Sequence, residues 1–189
     1  YGFGEVDPAA GKLLSFTPLP HFTGTTWQGG GKLPDDTLGW ATLNPTGGHV
    51  GNDLKHAVVR RWIAPRSGKI AIRGAVKHSK KEGDGIRARV LLNEEKQLVV
   101  REVHHKRART DAANIAVAQG DRIDFVADLK GSLNHDSFEW KVVVALDAEN
   151  RIEQFDAAKQ FSGPPPTPLD AWAQLAQVLL LSNEFQFID

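Results

Sequence analysis

Between residues 57 and 146 the chain alternates apolar and polar side chains with a period of two. Successive side chains of a β-strand point to opposite sides, so this alternation is typical of strands with one buried and one solvent-facing side. Clusters of Gly, Asn, Asp and Ser interrupt the alternation where turns are expected. The pattern predicts six or seven strands, within Ala57–Ile63, Lys69–Val76, Ile86–Leu92, Gln97–Val103, Asn114–Ala118, Arg122–Asp128 and Ser137–Leu146.

Turn signals recur about every 8–15 residues in this region, which favours an antiparallel β-sandwich. One or two further strands from the N-terminal third would bring the count to about eight, as in a jelly roll. We therefore predict an all-β fold, an antiparallel sandwich of jelly-roll type, followed by a C-terminal α-helix.

The N-terminal segment, residues 1–48, is interrupted by Gly and Pro throughout, which forbids a helix and allows only short strands. It also holds more large apolar side chains than a disordered tail would: Phe3, Phe16, Phe22, Trp27 and Trp40. We expect ordered coil and short strands that wrap over a sheet, and a sandwich module that spans residues 1–162.

After residue 147 the alternation stops, and residues 147–163 allow either a turn of helix or an edge strand around Ile152 and Phe155. A stiff Pro-rich linker over residues 163–168 follows. A helix is predicted over Ala171–Asn183, with Thr167 as its N-cap. It is apolar on most sides, so we expect it to be buried against the sandwich or a neighbour, with residues 169–189 belonging to a flanking domain.

Composition narrows the functional classes. Twenty-three Lys and Arg balance 23 Asp and Glu, so no global charge attracts nucleic acid or anionic lipid. There is no cysteine, which excludes disulfides, thiol catalysis and thiolate metal sites. No apolar run is long enough to insert into a membrane. The chain begins at Tyr1 and has no methionine, so we interpret it as a piece of a larger protein.

The loop Gly47–Asp53 lies between tryptophan-bearing segments and is rich in glycine and short polar side chains. It is either a tight corner or part of a sugar site, since an exposed indole stacks on a pyranose while polar groups bond its hydroxyls. Trp62, Trp140 and Trp172 are expected to be buried. The predicted ligand-binding residues are Trp27, Trp40, His49, Asn52, Asp53, Arg60 and Asp84.

A calcium site is an alternative use of the loop acids, because Ca²⁺ takes six to eight oxygen ligands. No Asp-x-Asp-x-Asp-Gly spacing is present, and Asp is also an ordinary turn residue. The candidate metal ligands are Asp35, Asp36 and Asp136. The seven histidines include no His-Glu-x-x-His pair, and no Cys-x-x-Cys-His is present, so neither a zinc-protease site nor haem is expected.

Catalysis is not predicted. No Gly-x-Ser-x-Gly elbow occurs, and the sequence selects no pair of carboxylates that would flank a glycosidic bond. Two basic runs, 77–81 and 104–109, are either solvated loops or a surface for an anionic polysaccharide. Nucleic acid is not expected there, because no aromatic residues are interleaved with the basic ones.

Several segments resemble a module inserted in large exported planctomycete proteins that combine a cytochrome c-like domain with two domains of unknown function. The segments are Phe22–Gly30, Leu33–Asp35, Leu38–Trp40, Gly47–His49, Arg60–Trp62, Gly83–Ile86 and, for the closing helix of that family, Pro168–Phe185. The resemblance implies an exported or surface location, polysaccharide use and a sandwich similar to carbohydrate-binding modules.

The expected function is therefore non-catalytic binding of polysaccharide, with anionic chains favoured by the basic loops. One alternative is a structural module that docks the cytochrome and flanking domains through the apolar helix. A weaker alternative is an enzyme that acts on polysaccharide.

Overall fold

The computed structural model describes residues 1–165 and 170–181, and it is an all-β protein with one helix, α1 (Ala171–Leu181). The first eight strands are short: β1 (Gly2–Gly4), β2 (Val6–Asp7), β3 (Lys12–Leu13), β4 (Thr17–Pro18), β5 (His21–Phe22), β6 (Trp27–Gln28), β7 (Thr42–Asn44) and β8 (Gly47–His49). The longer ones follow: β9 (Ala57–Ile63), β10 (Gly68–His78), β11 (Ile86–Leu92), β12 (Lys96–Val103), β13 (Lys106–Arg109), β14 (Ala112–Val117), β15 (Arg122–Leu129), β16 (Ser137–Ala148) and β17 (Arg151–Asp156).

Two antiparallel sheets form the sandwich, as the alternating pattern predicted. One has six strands in the order β12-β11-β15-β9-β1-β4. The other has nine, in the order β13-β10-β16-β8-β7-β6-β5, with β14 on the outer edge of β10 and β17 beside β16. The hairpin β2-β3 stands apart from both sheets.

The alternation in the sequence located the long strands accurately. For β9 and β11 the predicted first and last residues are the observed ones. The segment after residue 147 is an edge strand, because β17 pairs with β16 from Val143 to Ala148. Residues 1–49 hold eight strands, and six of them join the two sheets where one or two were expected. Gly and Pro limit each of the eight to two or three residues.

The main core lies between the two sheets and includes Ile70, Val90, Phe125 and Trp140. Phe125 and Trp140 meet edge to face at 5.8 Å, a favourable arrangement for aromatic rings. Trp140 is buried as predicted, whereas Trp62 is only partly buried, beside the ring of Phe155.

A second, smaller core lies on the outer face of the six-stranded sheet. Residues 5–16, here called the N-terminal wrap, cover that face and place Val6, Leu13 and Phe16 against Val59 and Val126. The backbone N–H of Leu13 donates to the carbonyl of Glu94 at 2.9 Å and ties the wrap to the sheet. The expected wrap over a sheet is therefore present in this segment.

Helix α1 differs from its prediction in burial. Trp172 is 80% exposed and Leu180 is 73% exposed, so the expected burial of Trp172 is wrong for this chain. The helix begins after Asp170, whose carboxylate accepts from the N–H of Ala173 at 2.7 Å and acts as the cap. The predicted cap Thr167 and the predicted last residues 182–183 lie outside the described residues.

Candidate ligand-binding groove

The outer face of the nine-stranded sheet carries an open groove of about 540 Å³. Its floor is made by strands β10 and β16, and its rim comes mainly from basic side chains of β10, β13 and β16. The residues that line it are Arg73, Gly74, Ala75, Arg107, Arg109, Asp111, Lys141, Val142 and Val143.

Strand register explains why the groove has a low floor and basic walls. Ala75 lies opposite Arg109 on one side and Lys141 on the other. Neighbouring strands are about 4.8 Å apart, so the Cα atoms of Arg109 and Lys141 are roughly 10 Å apart, with the methyl group of Ala75 between them. In the next row Lys77 lies between Arg107 and Glu139, and its ammonium pairs with Glu139 at 3.8 Å.

One wall is fixed where the outer edge of β10 passes from β14 to β13. The N–H of Thr110 donates to the carbonyl of Gly74, and the N–H of Gly74 donates to Asp111 Oδ1, both at 2.9 Å. A Cβ at Gly74 would lie 2.2 Å from Thr110 Oγ1, so only glycine fits there. Thr110 Oγ1 in turn accepts from the indole N–H of Trp140 at 3.0 Å, which anchors the wall to the core.

The charges of the groove are mostly uncompensated. Arg109 Nε donates to Asp111 Oδ2 at 2.6 Å. The hydrogen bond from Gly74 and then the charge of Arg109 lower the pKa of Asp111. Within residues 1–165 and 170–181 no carboxylate lies at ion-pair distance from Arg73, Arg107 or Lys141. The groove therefore presents exposed cations above small apolar groups, a surface suited to carboxylate or sulfate groups on an extended ligand.

Three predicted ligand residues form a corner at the loop end of the sandwich. Trp40 is 42% exposed, and its ring lies 6.2 Å from that of His49. The Nδ1–H of His49 donates to the carbonyl of Val50 at 2.8 Å, and burial lowers the pKa of His49. Asn52 donates to the carbonyl of Thr37 at 3.3 Å and joins the two loops. Gly39, at φ +61°, leaves the space that Asn52 occupies.

Asp53 and Asp84 have structural partners of their own. Asp53 caps the short 3₁₀ helix Leu54–His56 by accepting from the N–H of Lys55 at 2.8 Å. Asp84 Oδ1 accepts from the N–H of Ser132 at 3.3 Å. Both carboxylates hold loops in place.

Trp27 lies in a different environment from Trp40. Its indole N–H donates to the carbonyl of Ser162 at 2.8 Å, and its ring packs beside Tyr1 and Phe22. The indole thus fastens the segment after β17 to the sandwich, and Trp27 and Trp40 do not form one aromatic platform.

Arg60 is buried between the sheets, with 7% of its surface exposed. It donates to the carbonyl oxygens of Asn44 at 2.9 Å and Trp140 at 3.4 Å, and burial lowers its pKa. Because these partners belong to the main chain of the sandwich, Arg60 holds strands together at the opposite end of the β7-β8 hairpin from His49.

The predicted metal ligands are not assembled into one centre. Asp35 accepts from the N–H groups of Thr37 and Leu38 at 3.0 and 2.8 Å, and Asp36 is exposed in the same turn. Asp136 is fully buried beside His78, on another loop. Among the described residues no group of three or more His, Cys, Asp or Glu side chains is placed to hold a metal ion.

Sequence reasoning placed Arg107 and Arg109 in a basic run but did not select Arg73 or Lys141. Both occupy polar positions of predicted strands, and this alternation showed that they point outward. It could not show that β10, β13 and β16 are neighbours, and that neighbourhood creates the groove.

Comparison of the chain with models of protein families, with curated proteins and with solved structures finds no match. In the described part of the chain no helix is long and apolar enough to cross a membrane.

Proposed function

We propose that this chain is a non-catalytic module that binds anionic polysaccharide in the groove of its nine-stranded sheet. The observation that carries the proposal is the row Arg109–Ala75–Lys141, in which two cations flank a small floor residue. Carboxylates or sulfates of an extended sugar chain would bond to these cations while the chain lies over Ala75 and Val143.

Because the net charge of the protein is zero, an anionic polysaccharide would be attracted only to local basic surface. Selectivity for anionic over neutral polysaccharide would therefore depend on the groove. The groove lining contains no aromatic ring, and binding would therefore rest on charge more than on stacking. Such binding weakens as salt rises, because the cations are exposed.

Affinity gel electrophoresis with polygalacturonate and dextran sulfate, and with neutral dextran for comparison, tests the proposal. The anionic polymers should retard the protein and dextran should not. Arg109→Ala and Lys141→Ala should each weaken binding roughly tenfold, the loss expected for one charge-assisted hydrogen bond. Arg151→Ala, which removes an exposed cation of β17, is the matched control and should bind normally.

Trp40→Ala separates the groove from the loop corner. Unchanged retardation of Trp40→Ala supports the groove, whereas loss of binding only in Trp40→Ala places the ligand beside His49. Equal retardation of the wild type and the double variant Arg109→Ala, Lys141→Ala contradicts the proposal.

A second function, docking of an adjoining domain on α1, is supported by the exposure of Trp172 and Leu180. Exposed apolar surface of this kind marks interaction sites. In a chain that carries an adjoining domain, Trp172→Asp should then release that domain to independent motion, measured by small-angle scattering, without changing glycan retardation. The exported location and the polysaccharide-active enzyme both stay predictions.

A further inference from the structure

Asp136 is a buried acid for which residues 1–165 and 170–181 supply no hydrogen-bond donor. Its side chain has no exposed surface, and within the described residues neither carboxylate oxygen has a donor. Burial of an unpaired carboxylate is costly, so native proteins pair such groups, protonate them or use them to bind ions.

The adjacent histidine does not compensate Asp136. His78 Nε2 lies 3.7 Å from Asp136 Oδ1, which is beyond a hydrogen bond. The N–H of His105 donates to His78 Nδ1 at 3.2 Å, so Nε2 carries the ring proton. That proton is used by the carbonyl of His135, which lies 2.9 Å from Nε2.

A second carboxylate, Asp84, stands on the facing loop. A Cβ added at Gly131 would lie 3.0 Å from Asp84 Oδ2, so this oxygen is close to the main chain of Gly131. Asp84 Oδ1 accepts a hydrogen bond from the N–H of Ser132. Asp84 is therefore held against the loop that precedes Asp136. Burial first and then the charge of Asp84 raise the pKa of Asp136 to about 7. Lys130 acts in the opposite direction, and its ammonium lies 3.3 Å from Glu102.

The two loops also touch through their main chains. A Cβ at Gly83 would lie 2.2 Å from the carbonyl oxygen of Asn134. Main-chain carbonyl oxygens and two acidic side chains are the donors that calcium prefers. Since the described residues offer no group of three acidic or imidazole ligands, carbonyl oxygens and water would complete the coordination, which suits Ca²⁺ and does not suit Zn²⁺.

We propose that Asp84 and Asp136 bind a hard divalent cation of the calcium type, which joins loop 79–85 to loop 130–136. The cation gives the buried carboxylate of Asp136 its missing partner and removes the repulsion between the two acids. This site lies on the loop end of the sandwich and is independent of the groove, so it does not rest on the proposed function.

The experiment uses the whole chain, first freed of metal with a chelator and then titrated with CaCl₂, with NaCl at matched ionic strength as the blank. Calorimetric titration should show saturable binding. Thermal unfolding should show Tm higher by roughly 5–10 °C at a hundredfold excess over the dissociation constant. Asp136→Asn and Asp84→Asn should each abolish the calcium-dependent rise in Tm.

Asp36→Asn is the matched control, because Asp36 is an exposed acid of a different loop. It should keep the full rise in Tm. Asp84 is partly exposed, so Asp84→Asn decides the question if Asp136→Asn does not fold. The proposal is overturned if calcium leaves Tm unchanged, or if Asp84→Asn responds like the wild type. It is also overturned if Asp136→Asn gains stability while the wild type ignores calcium, since the carboxyl then simply carries a proton.

Discussion

On the outer face of the six-stranded sheet, Arg61 and Arg89 lie beneath the N-terminal wrap, whereas on the outer face of the nine-stranded sheet Arg73 and Lys141 are open to solvent. Under the wrap every one of these charges has a partner. Arg61 binds Asp124 through two hydrogen bonds of 2.7 and 3.0 Å, and its guanidinium stacks 3.9 Å over the ring of Phe16.

Asp128, four residues after Asp124 on β15, shows the same arrangement. Its two oxygens accept from Arg87 Nε at 2.9 Å and from Arg89 Nε at 3.2 Å. Arginine therefore serves stability on the covered face and remains available for a ligand on the open face. The N-terminal wrap causes this difference between the two faces. It excludes water, so a buried charge that loses its ionic partner is not solvated in its place.

The largest effect should come from Asp128→Asn, which leaves Arg87 and Arg89 without their carboxylate under the wrap. We expect the free energy of unfolding to fall by about 3–5 kcal/mol. Chemical denaturation measures it. Asp147→Asn, an exposed acid of β16, is the control and should change stability by less than about 0.5 kcal/mol. Equal losses of stability in the two variants would contradict the conclusion that ion pairs on the covered face stabilise the fold more than exposed charges do.

The wrap itself should contribute the next largest share. Leu13 is 3% exposed in the smaller core, and its neighbour Leu14 is 59% exposed. Leu13→Ala should cost about 2–4 kcal/mol, whereas Leu14→Ala should cost less than about 0.5 kcal/mol. If denaturation finds both variants as stable as the wild type, the wrap does not act as a cover.

On the open face, removal of a cation should hardly affect stability. Lys141→Ala should change the free energy of unfolding by less than about 0.5 kcal/mol, because its ammonium is exposed. The same denaturation assay measures this, and the affinity gel of the proposed function measures the loss of binding. A loss of stability above about 1 kcal/mol would mean that Lys141 is structural, as Arg61 is.

The smallest effect should be a pH dependence at Asp111, the acid of the open groove. Its pKa is lowered in the folded chain, so the folded state favours the ionised form. The stability that this carboxylate contributes is present above the unfolded pKa near 3.8 and is lost as pH falls through the folded pKa. Wild type and Asp111→Asn should thus differ in stability at pH 6, and the difference should shrink as pH falls below 3.8. A constant difference across this range would contradict the role given to Asp111.

The sequence predicted the long strands because one side of each strand is buried, and burial imposes a period of two on side-chain polarity. It predicted the wrap only in outline, since strands of two residues such as β3 are too short for a period to show. Strand β13 was missed for another reason: its residues 106–109 are almost all basic, so they contain no alternation.

The candidate site was predicted less well than the fold. Trp40, His49 and Asn52 do lie together, because glycine-rich turns of neighbouring strands meet at one end of a sandwich. Asp53 caps a short 3₁₀ helix and Asp35 closes a turn, which are the commoner uses of aspartate in loops. The groove depends on the pairing of β10 with β13 and β16, and pairing partners far apart in sequence leave no local signal.

The division of the sheet edge at Gly74 has a consequence for contact between copies of this protein. A long, straight sheet edge invites a second chain to pair with it. Here the edge beyond β10 is divided into β13 and β14, and β13 carries Lys106, Arg107 and Arg109. Two copies that meet at this edge would repel each other through these cations, so the edge is protected against edge-to-edge aggregation.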